Sequence, residues 1–315
     1  MDDGKSREAT SFDLTSLAEI TGATDCHAHL LGPFALHPLL GRTEPETTEM
    51  KSAAPHPDGD ESSEEAPLDA FREVLARELG FSRAVLVQPR AYGTNNECLL
   101  QALARHRNMM RGIAITRPGV GDETLERLAG TGIRGLRFCL DGPDDPVLQD
   151  LPALAARIEP LNWHFEIDLD FQHLPGLKTY FAALPVPCVF TVHTMLRASP
   201  EVHAAPLAAL IELIECGVGW VKLTGIEQLP APGSSTGSGR DGTNTVVRRL
   251  IESDPTRLLW GSGWPYCRSP HDRNGERRGI AATALASFAL WVPETRLRQL
   301  ILAANPALLY GFNED

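Results

Sequence analysis

Short apolar or alternating runs recur eight times along the chain, and stretches with helical periodicity separate them. The runs fall at residues 24–29, 83–89, 111–116, 133–139, 163–169, 188–193, 219–224 and 258–263. The helices predicted between them cover residues 68–79, 95–107, 123–129, 147–158, 177–184, 206–215 and 243–253. This alternation is typical of a parallel sheet with helices on both faces. Eight repeats favour a distorted (β/α)8 TIM barrel with long loops at its C-terminal face.

An open doubly wound sheet is the main alternative to a barrel. No Gly-x-Gly-x-x-Gly pattern follows an early strand, and a dinucleotide-binding sheet needs that turn to hold phosphate. We therefore expect an N-terminal extension over residues 1–20 and a single barrel domain over residues 21–315. Segment 41–67 is nearly free of large apolar residues, so we expect a mobile insertion there. Its position after the first strand leaves both a substrate lid and a solvated insertion without a role open.

Composition limits the partners of this chain. The 315 residues are 43% hydrophobic, which allows a large core, and the net charge of -12 argues against nucleic acid and anionic membrane surfaces as partners. No run approaches the roughly 18 apolar residues of a membrane span. Six cysteines without a Cys-x-x-Cys pair predict reduced thiols in a cytoplasmic protein. A small-molecule substrate is expected, and the sequence leaves a homo-oligomer open.

The clearest chemical signal is a pair of histidines in the first predicted strand. His27 and His29 are two residues apart, a spacing at which both side chains leave a strand on the same side. Such a pair can bind a divalent metal, or it can polarise a carbonyl or carboxylate without one. Two polar residues at a strand end are the simpler interpretation, so other groups must decide.

The fifth predicted strand places acids inside the barrel. Apolar and polar residues alternate over 163–169, so His164, Glu166 and Asp168 are predicted to point inward. A buried carboxylate without a cation or a histidine nearby is costly or becomes protonated. Candidate partners for these acids near the ends of other strands are His27, His29, His193, Lys222, Arg134 and Arg137. For Lys222 and Arg134, a structural ion pair lower in the barrel is an alternative to a catalytic role.

Six segments, taken together, resemble the amidohydrolase superfamily (amidohydrolase-2 type), and most closely its branch of lactonases acting on 2-pyrone-4,6-dicarboxylate and on sugar lactones. They are Asp-Cys-His-Ala-His at 25–29, Val-Gln-Pro-Arg-Ala-Tyr-Gly-Thr-Asn-Asn at 87–96, Gly-Ile-Arg-Gly-Leu-Arg-Phe at 132–138, Trp-Val-Lys-Leu-Thr-Gly at 220–225, Trp-Gly-Ser-Gly-Trp-Pro at 260–265 and Asn-Pro-Ala-Leu-Leu-Tyr-Gly-Phe at 305–312. The resemblance implies a barrel with a site at the C-terminal ends of its strands. The implied site residues include His27, His29, Arg134, Arg137 and His193.

The chain departs from the pattern of that branch at the reacting groups. The branch ends its eighth strand in Trp-Gly-Thr-Asp-Trp-Pro, where the aspartate takes a proton from the attacking water, whereas this chain has Ser262 and Gly263. In addition, Asp168 replaces a tyrosine, Arg90 replaces a small hydroxyl residue and Gln228 replaces an arginine. Because Gly263 cannot act as a base, the mechanism of the branch cannot be transferred unchanged.

Three functional hypotheses follow. The first is hydrolysis of a lactone or a related carbonyl compound with a changed acid and base; the second is a non-hydrolytic cyclisation, isomerisation, dehydration or decarboxylation in a specialised biosynthetic pathway; the third is an inactive ligand-binding relative. The candidate catalytic residues are His27, His29, Glu166, Asp168 and His193. The candidate substrate-binding residues are Arg90, Tyr92, Arg134, Arg137, Lys222 and Trp264.

The need for a metal is a separate question. His27, His29 and His193 could supply three nitrogen ligands to one divalent ion such as zinc, and Asp168 or Glu166 could add an oxygen. The lactonase branch that the chain resembles works without a metal, and the strand-eight carboxylate is absent. We therefore predict no required metal or other cofactor, with one zinc-like ion as the alternative.

Overall fold

Eight strands form one parallel sheet in the order of the sequence. The structure is a computed structural model that describes residues 17, 20–39, 66–192, 200–225, 241–265 and 279–312, except for the side chains of residues 200–203 and 241–245. The strands are β1 (Thr24–Ala28), β2 (Arg83–Val87), β3 (Met110–Ala114), β4 (Ile133–Leu140), β5 (His164–Leu169), β6 (Cys188–Thr191), β7 (Gly219–Leu223) and β8 (Leu258–Trp260). The predicted (β/α)8 barrel is therefore confirmed.

Helices lie between successive strands and after the last one. They are α1 (Leu68–Val74), α2 (Glu97–Arg105), α3 (Asp122–Thr131), α4 (Leu151–Ile158), α5 (Leu174–Ala182), α6 (Pro200–Glu215), α7 (Asp241–Ser253), α8 (Ile280–Trp291), α9 (Thr295–Gln299) and α10 (Asn305–Tyr310). A π-helical turn, Leu75–Leu79, extends α1 over the rest of its predicted span. All seven predicted helices are present, and α6 begins six residues before its predicted start.

The barrel closes through the segment that follows β8 rather than through a long eighth strand. The Gly263 N–H donates to the His27 carbonyl at 2.9 Å, and the His29 N–H donates to the Trp264 carbonyl at 2.8 Å. Gly261 allows this close approach, since a Cβ at that position would overlap His27 and lie 2.8 Å from its backbone nitrogen. We call this pairing of residues 27–29 with residues 261–264 the seam. It fixes the position of the histidine pair relative to β8.

The barrel interior is filled by apolar side chains beneath the candidate site. A separate buried cluster inside the sheet consists of Cys26, Val85, Val87, Ile113, Val189, Trp220, Leu259, Leu309, Tyr310 and Phe312. Leu309, Tyr310 and Phe312 of this cluster come from α10 and the turn after it, so the C-terminal helix covers the N-terminal end of the barrel. The larger apolar core lies between the sheet and the surrounding helices.

Among the described residues, no helix is both long and apolar enough to cross a membrane. The five cysteines in the described part of the chain are free thiols. The predicted insertion at 41–67 lies outside the described residues apart from its last two positions, so its role as a lid stays a prediction.

Candidate active site

The two histidines of β1 meet at the C-terminal end of the barrel. His27 Nε2 lies 3.2 Å from His29 Nε2, and both rings are buried. His29 Nδ1 lies 2.9 Å from the Val87 carbonyl oxygen. Because a carbonyl only accepts hydrogen bonds, this contact places the proton of neutral His29 on Nδ1 and leaves a lone pair on Nε2. That lone pair points at His27.

A carboxylate lies on the other side of His27. Glu166 Oε1 is 3.4 Å from His27 Nδ1, and Lys222 Nζ is 2.5 Å from Glu166 Oε2. Burial alone raises the pKa of Glu166, but the Lys222 ammonium and His27 outweigh burial and hold this pKa well below its ordinary value. The predicted cation beside this buried acid is therefore confirmed. Glu166 is bonded to Lys222 and lies beside His27, and its catalytic role stays a prediction.

A second ion pair lies one layer closer to the C-terminal face. Arg137 Nη2 donates to Asp168 Oδ2 at 2.9 Å, and Arg137 Nη1 donates to the Gln88 carbonyl at 3.1 Å. The Asp168 side chain is about 10% exposed and that of Arg137 about 1%. Asp168 also accepts from the Cys139 thiol at 3.5 Å. The guanidinium is thus fixed from two sides at the end of the barrel where catalysis occurs in this fold.

Other predicted residues lie on the same face with different contacts. Arg90 begins the 3-10 turn that directly follows β2. The Tyr92 hydroxyl at the end of this turn accepts a hydrogen bond from the Gly32 N–H at 2.6 Å. Tyr92 is buried and joins the loops that follow β1 and β2. Substrate contacts of Arg90 and Tyr92 stay predictions, and His193 lies outside the described residues.

Three other residues predicted to bind substrate have different contacts in the structure, and their binding role stays a prediction. Arg134 lies at the start of β4, at the opposite end of the barrel, where Nη1 donates to the carbonyls of residues 129 and 133. Trp264 packs its ring against Phe71 of α1, with the ring centroids 5.1 Å apart, so it lies outside the sheet. Lys222 is fully buried and bonded to Glu166, as in the alternative of a structural ion pair. Strand periodicity identifies a face but does not fix depth in the barrel.

The sequence interpretation missed Asp25 as a site residue. Its carboxylate accepts from the His27 N–H at 3.1 Å, from the Ser262 N–H at 2.9 Å and from the Ser262 hydroxyl at 2.6 Å. Burial raises its pKa, and these hydrogen bonds oppose the increase. Asp25 therefore holds β1 to the segment after β8. An acid two residues before the first histidine, and so on the same side of β1 as both histidines, was the available signal.

The histidine pair fits one side of a metal site. Two nitrogens bound to one tetrahedral ion at about 2.0–2.1 Å would be roughly 3.3 Å apart, close to the 3.2 Å observed here. Within the described ranges, no group of three or more His, Cys, Asp or Glu side chains is arranged to hold a metal. The third predicted ligand, His193, is not among them. The absence of a required metal or other cofactor stays a prediction.

The protein has a parallel eight-stranded barrel with buried imidazoles and ion pairs at the C-terminal end of its strands. This combination is typical of (β/α)8-barrel enzymes. Comparison with known proteins specifies it further: the chain belongs to the amidohydrolase family, whose model matches residues 24–312.

The matched relatives span nearly the whole chain. This chain is 29% identical over 299 residues to 2-pyrone-4,6-dicarboxylate hydrolase from Comamonas testosteroni, and the match covers 92% of this chain and 90% of the relative. It is 28% identical over 299 residues to 4-sulfomuconolactone hydrolase from Rhizobium radiobacter, covering 94% and 92%. A Pseudomonas putida structure described as a candidate 2-pyrone-4,6-dicarboxylic acid hydrolase superposes with a TM-score of 0.70 at 27% identity, covering 93% of this chain and 99% of that one.

Proposed function

We propose that the protein opens the lactone ring of a small, negatively charged molecule by adding water. The observation that carries this proposal is the imidazole pair, in which the Nε2 atoms of His27 and His29 face each other at 3.2 Å. The names of the relatives support the substrate class, because each refers to a hydrolase of an anionic pyrone or lactone.

The histidine pair acts as the proton acceptor for the attacking water. Glu166 beside Nδ1 of His27 favours the tautomer that carries a proton on Nδ1. Both Nε2 lone pairs then converge, and one proton taken from water is shared between them while the water oxygen adds to the carbonyl carbon. This proton passes to the ring oxygen when the bond between that oxygen and the carbonyl carbon breaks. The Glu166 carboxylate stabilises the imidazolium that forms, in the way that an acid supports a catalytic histidine. Lys222 keeps this carboxylate ionised. General base catalysis of this kind contributes about 10²–10⁴ in rate.

The substrate anion binds at the arginines of the C-terminal face. Arg137 is held in place by Asp168 and by the Gln88 carbonyl, and Arg90 follows β2 on the same face. Guanidinium groups bind carboxylates and sulfonates through parallel N–H donors. His193 is assigned, in this proposal, to polarising the scissile carbonyl. Bound in this way, the substrate presents its ring carbonyl to water at the histidine pair.

The test uses 2-pyrone-4,6-dicarboxylate and 4-sulfomuconolactone as substrates, with ring opening followed by ultraviolet absorbance. We expect hydrolysis of at least one compound and a loss of about 10² or more in kcat for His29→Gln. His106→Gln is the matched control, since His106 follows α2 outside the barrel. Absence of ring opening for both compounds, or an unchanged kcat in His29→Gln, would contradict the proposal.

Gly263 supports a second candidate function, a non-hydrolytic lyase, isomerase or cyclase. This residue has a φ of +72°, and a Cβ there would meet no described atom within 4 Å. The segment after β8 therefore has space at position 263 but no acid there to activate water. This arrangement suits a reaction from which water is excluded. Reactions run in oxygen-18 water distinguish the two, because only hydrolysis places solvent oxygen in the product. Gly263→Asp and Asp168→Asn are the informative variants. If both leave the native reaction unchanged, neither an acid at position 263 nor Asp168 takes part in the reaction.

A further inference from the structure

A cavity of about 770 Å³ lies outside the barrel, between the first turns of α2 and α3 and the segment that follows β3. Small-molecule sites in proteins occupy about 300–1,000 Å³. Leu100, Val120 and Leu128 give this cavity an apolar wall, and they pack against the main core from the other side. The cavity is thus a partly apolar recess, and the histidine pair inside the sheet is not part of its lining.

Positive charge surrounds this apolar wall. Arg117 and Arg127 line the cavity, both are exposed, and neither guanidinium has a hydrogen bond or ion pair among the described residues. Glu97 is the acid at the same cavity, and its carboxylate accepts from Gln101 at 3.3 Å. The lining therefore carries a net charge of about +1, from two arginines and one glutamate. This charge favours a monoanion.

A buried hydroxyl adds a polar group to the cavity. Thr116 Oγ1 is inaccessible and has no hydrogen-bond partner among the described residues, and Thr116 is part of the lining. Buried polar atoms in folded proteins nearly always have a partner. A hydroxyl can donate to a carboxylate oxygen, so a small rotation of the Thr116 side chain toward the cavity would let it donate to a bound anion.

The cavity wall is also connected to the active site. The Gln88 side chain donates to the carbonyls of Gly93 and Asn95 at 3.2 and 2.7 Å, and Asn95 lines the cavity. The Gln88 backbone carbonyl in turn accepts from Arg137 at 3.1 Å. A ligand bound against Asn95 is therefore connected through Gln88 to Arg137.

We propose that this cavity is a second binding site, which takes a small organic carboxylate with an apolar body. The site differs from the catalytic one in its residues and in its place in the fold. The proposal does not depend on the reaction assigned above.

Binding of 2-naphthoate to the full-length protein, measured by isothermal titration calorimetry, tests the proposal. We expect one saturable site outside the barrel, and about tenfold weaker binding in Arg117→Gln/Arg127→Gln. The neutral analogue 2-naphthylmethanol should bind about tenfold more weakly than 2-naphthoate. Arg105→Gln/Arg296→Gln is the matched control, because both arginines are exposed and lie away from the cavity.

A cavity-filling variant, Val120→Trp, provides an independent measurement and should abolish binding while its circular dichroism stays native. If this variant does not fold, the arginine pair still decides. Absence of binding by the wild-type protein at millimolar 2-naphthoate would overturn the proposal. Equal affinity in the wild-type protein and in Arg117→Gln/Arg127→Gln would also overturn it, since the compound would then bind elsewhere.

Discussion

Lys222 and Glu166 form an ion pair inside the barrel, with 2.5 Å between Nζ and Oε2 and no more than 2% of either side chain exposed. Lys222 Nζ also lies 5.9 Å from the centre of the Tyr310 ring. Bringing two charges into such a place costs several kcal/mol per ion, and their attraction and hydrogen bond offset that cost only while both partners are present. The pair therefore maintains one ionised carboxylate beneath the histidines without access to solvent.

Replacing Lys222 by methionine should lower the free energy of unfolding by about 3–5 kcal/mol, because Glu166 would remain buried without its cation. Urea denaturation at pH 7 measures the loss. Lys178→Met is the matched control: it breaks the pair of Lys178 with Glu212, which is partly exposed, and should cost less than about 1 kcal/mol. Equal losses in the two variants would contradict a special role for the buried pair. Adding Glu166→Leu to Lys222→Met should recover part of the stability.

Stability should decrease between pH 6.5 and pH 5.0 because of His164. Burial and then Lys222 lower the pKa of His164 to about 3, from an ordinary value of 6.5. The unfolded chain therefore binds a proton below about pH 6.5 that the native protein does not, which costs about 1.4 kcal/mol per pH unit. Glu166 does not contribute in this window, because its ordinary pKa is 4.5.

Urea denaturation at the two pH values measures this effect. His164→Phe keeps a ring beside Tyr310, whose centroid is 5.3 Å from that of His164, and should reduce the decrease by about 2 kcal/mol. His106→Gln should reduce the decrease by less, since burial lowers the pKa of the partly exposed His106 by a smaller amount. An identical pH dependence in the wild-type protein and in His164→Phe would show that His164 is protonated in the native state.

Ser262→Ala should destabilise the protein by about 1–3 kcal/mol, because the fully buried Asp25 loses the hydroxyl that donates to it at 2.6 Å. The same change should raise the pKa of Asp25 further, since that hydrogen bond opposes the effect of burial. Thermal denaturation gives the loss in stability. Ser253→Ala is the control: its hydroxyl donates to the Leu250 carbonyl at 2.8 Å in a partly buried position. A smaller loss for Ser262→Ala than for Ser253→Ala would rule out the seam as a stabilising element.

Gly261→Ala should move His27 and cost about 1–3 kcal/mol, because the added methyl group overlaps the His27 side chain. Gly130→Ala is the matched glycine control: Gly130 lies in α3, where a Cβ would meet nothing within 4 Å. That change should leave stability unchanged or raise it by up to about 1 kcal/mol. Calorimetric melting of both variants provides the comparison. A stable Gly261→Ala protein would mean that β1 and the segment after β8 can separate without cost.

The barrel could be predicted from the sequence because strands alternate with helices eight times and several of the strands, such as β2, β6 and β8, are nearly all apolar. In β5, alternation also identified which residues point inward, and the need to neutralise buried acids anticipated the cations that Lys222 and Arg137 supply. Arg134 could have been distinguished from Arg137 in the same way: the two are three residues apart in β4, a spacing that turns their side chains to opposite faces of a strand. Alternation defines the side of the sheet, whereas the end of the barrel depends on the register between strands.

Contacts between distant segments could not be predicted in the same way. Asp25 meets Ser262 across 237 residues of chain, and no local pattern encodes that meeting. Gln88 likewise uses its backbone carbonyl to hold Arg137, and a backbone group leaves no trace in residue type. Trp264 has the composition of a pocket wall but packs against Phe71.

At the seam between β1 and the segment after β8, two neighbouring residues have different roles: one closes the barrel, and the other occupies the position where related enzymes carry a reactive side chain. Ser262 closes the ring of strands by bonding Asp25, while Gly263 contributes its backbone N–H to the same closure, and no described atom lies within 4 Å of where its Cβ would be. A reactive side chain at position 263 would therefore leave the bond between Ser262 and Asp25 intact, but it would strain the backbone, since a φ of +72° favours glycine. Because barrel closure and the reactive position depend on different residues, evolution can change the reactive group at the C-terminal end of the barrel without changing the contacts that close it.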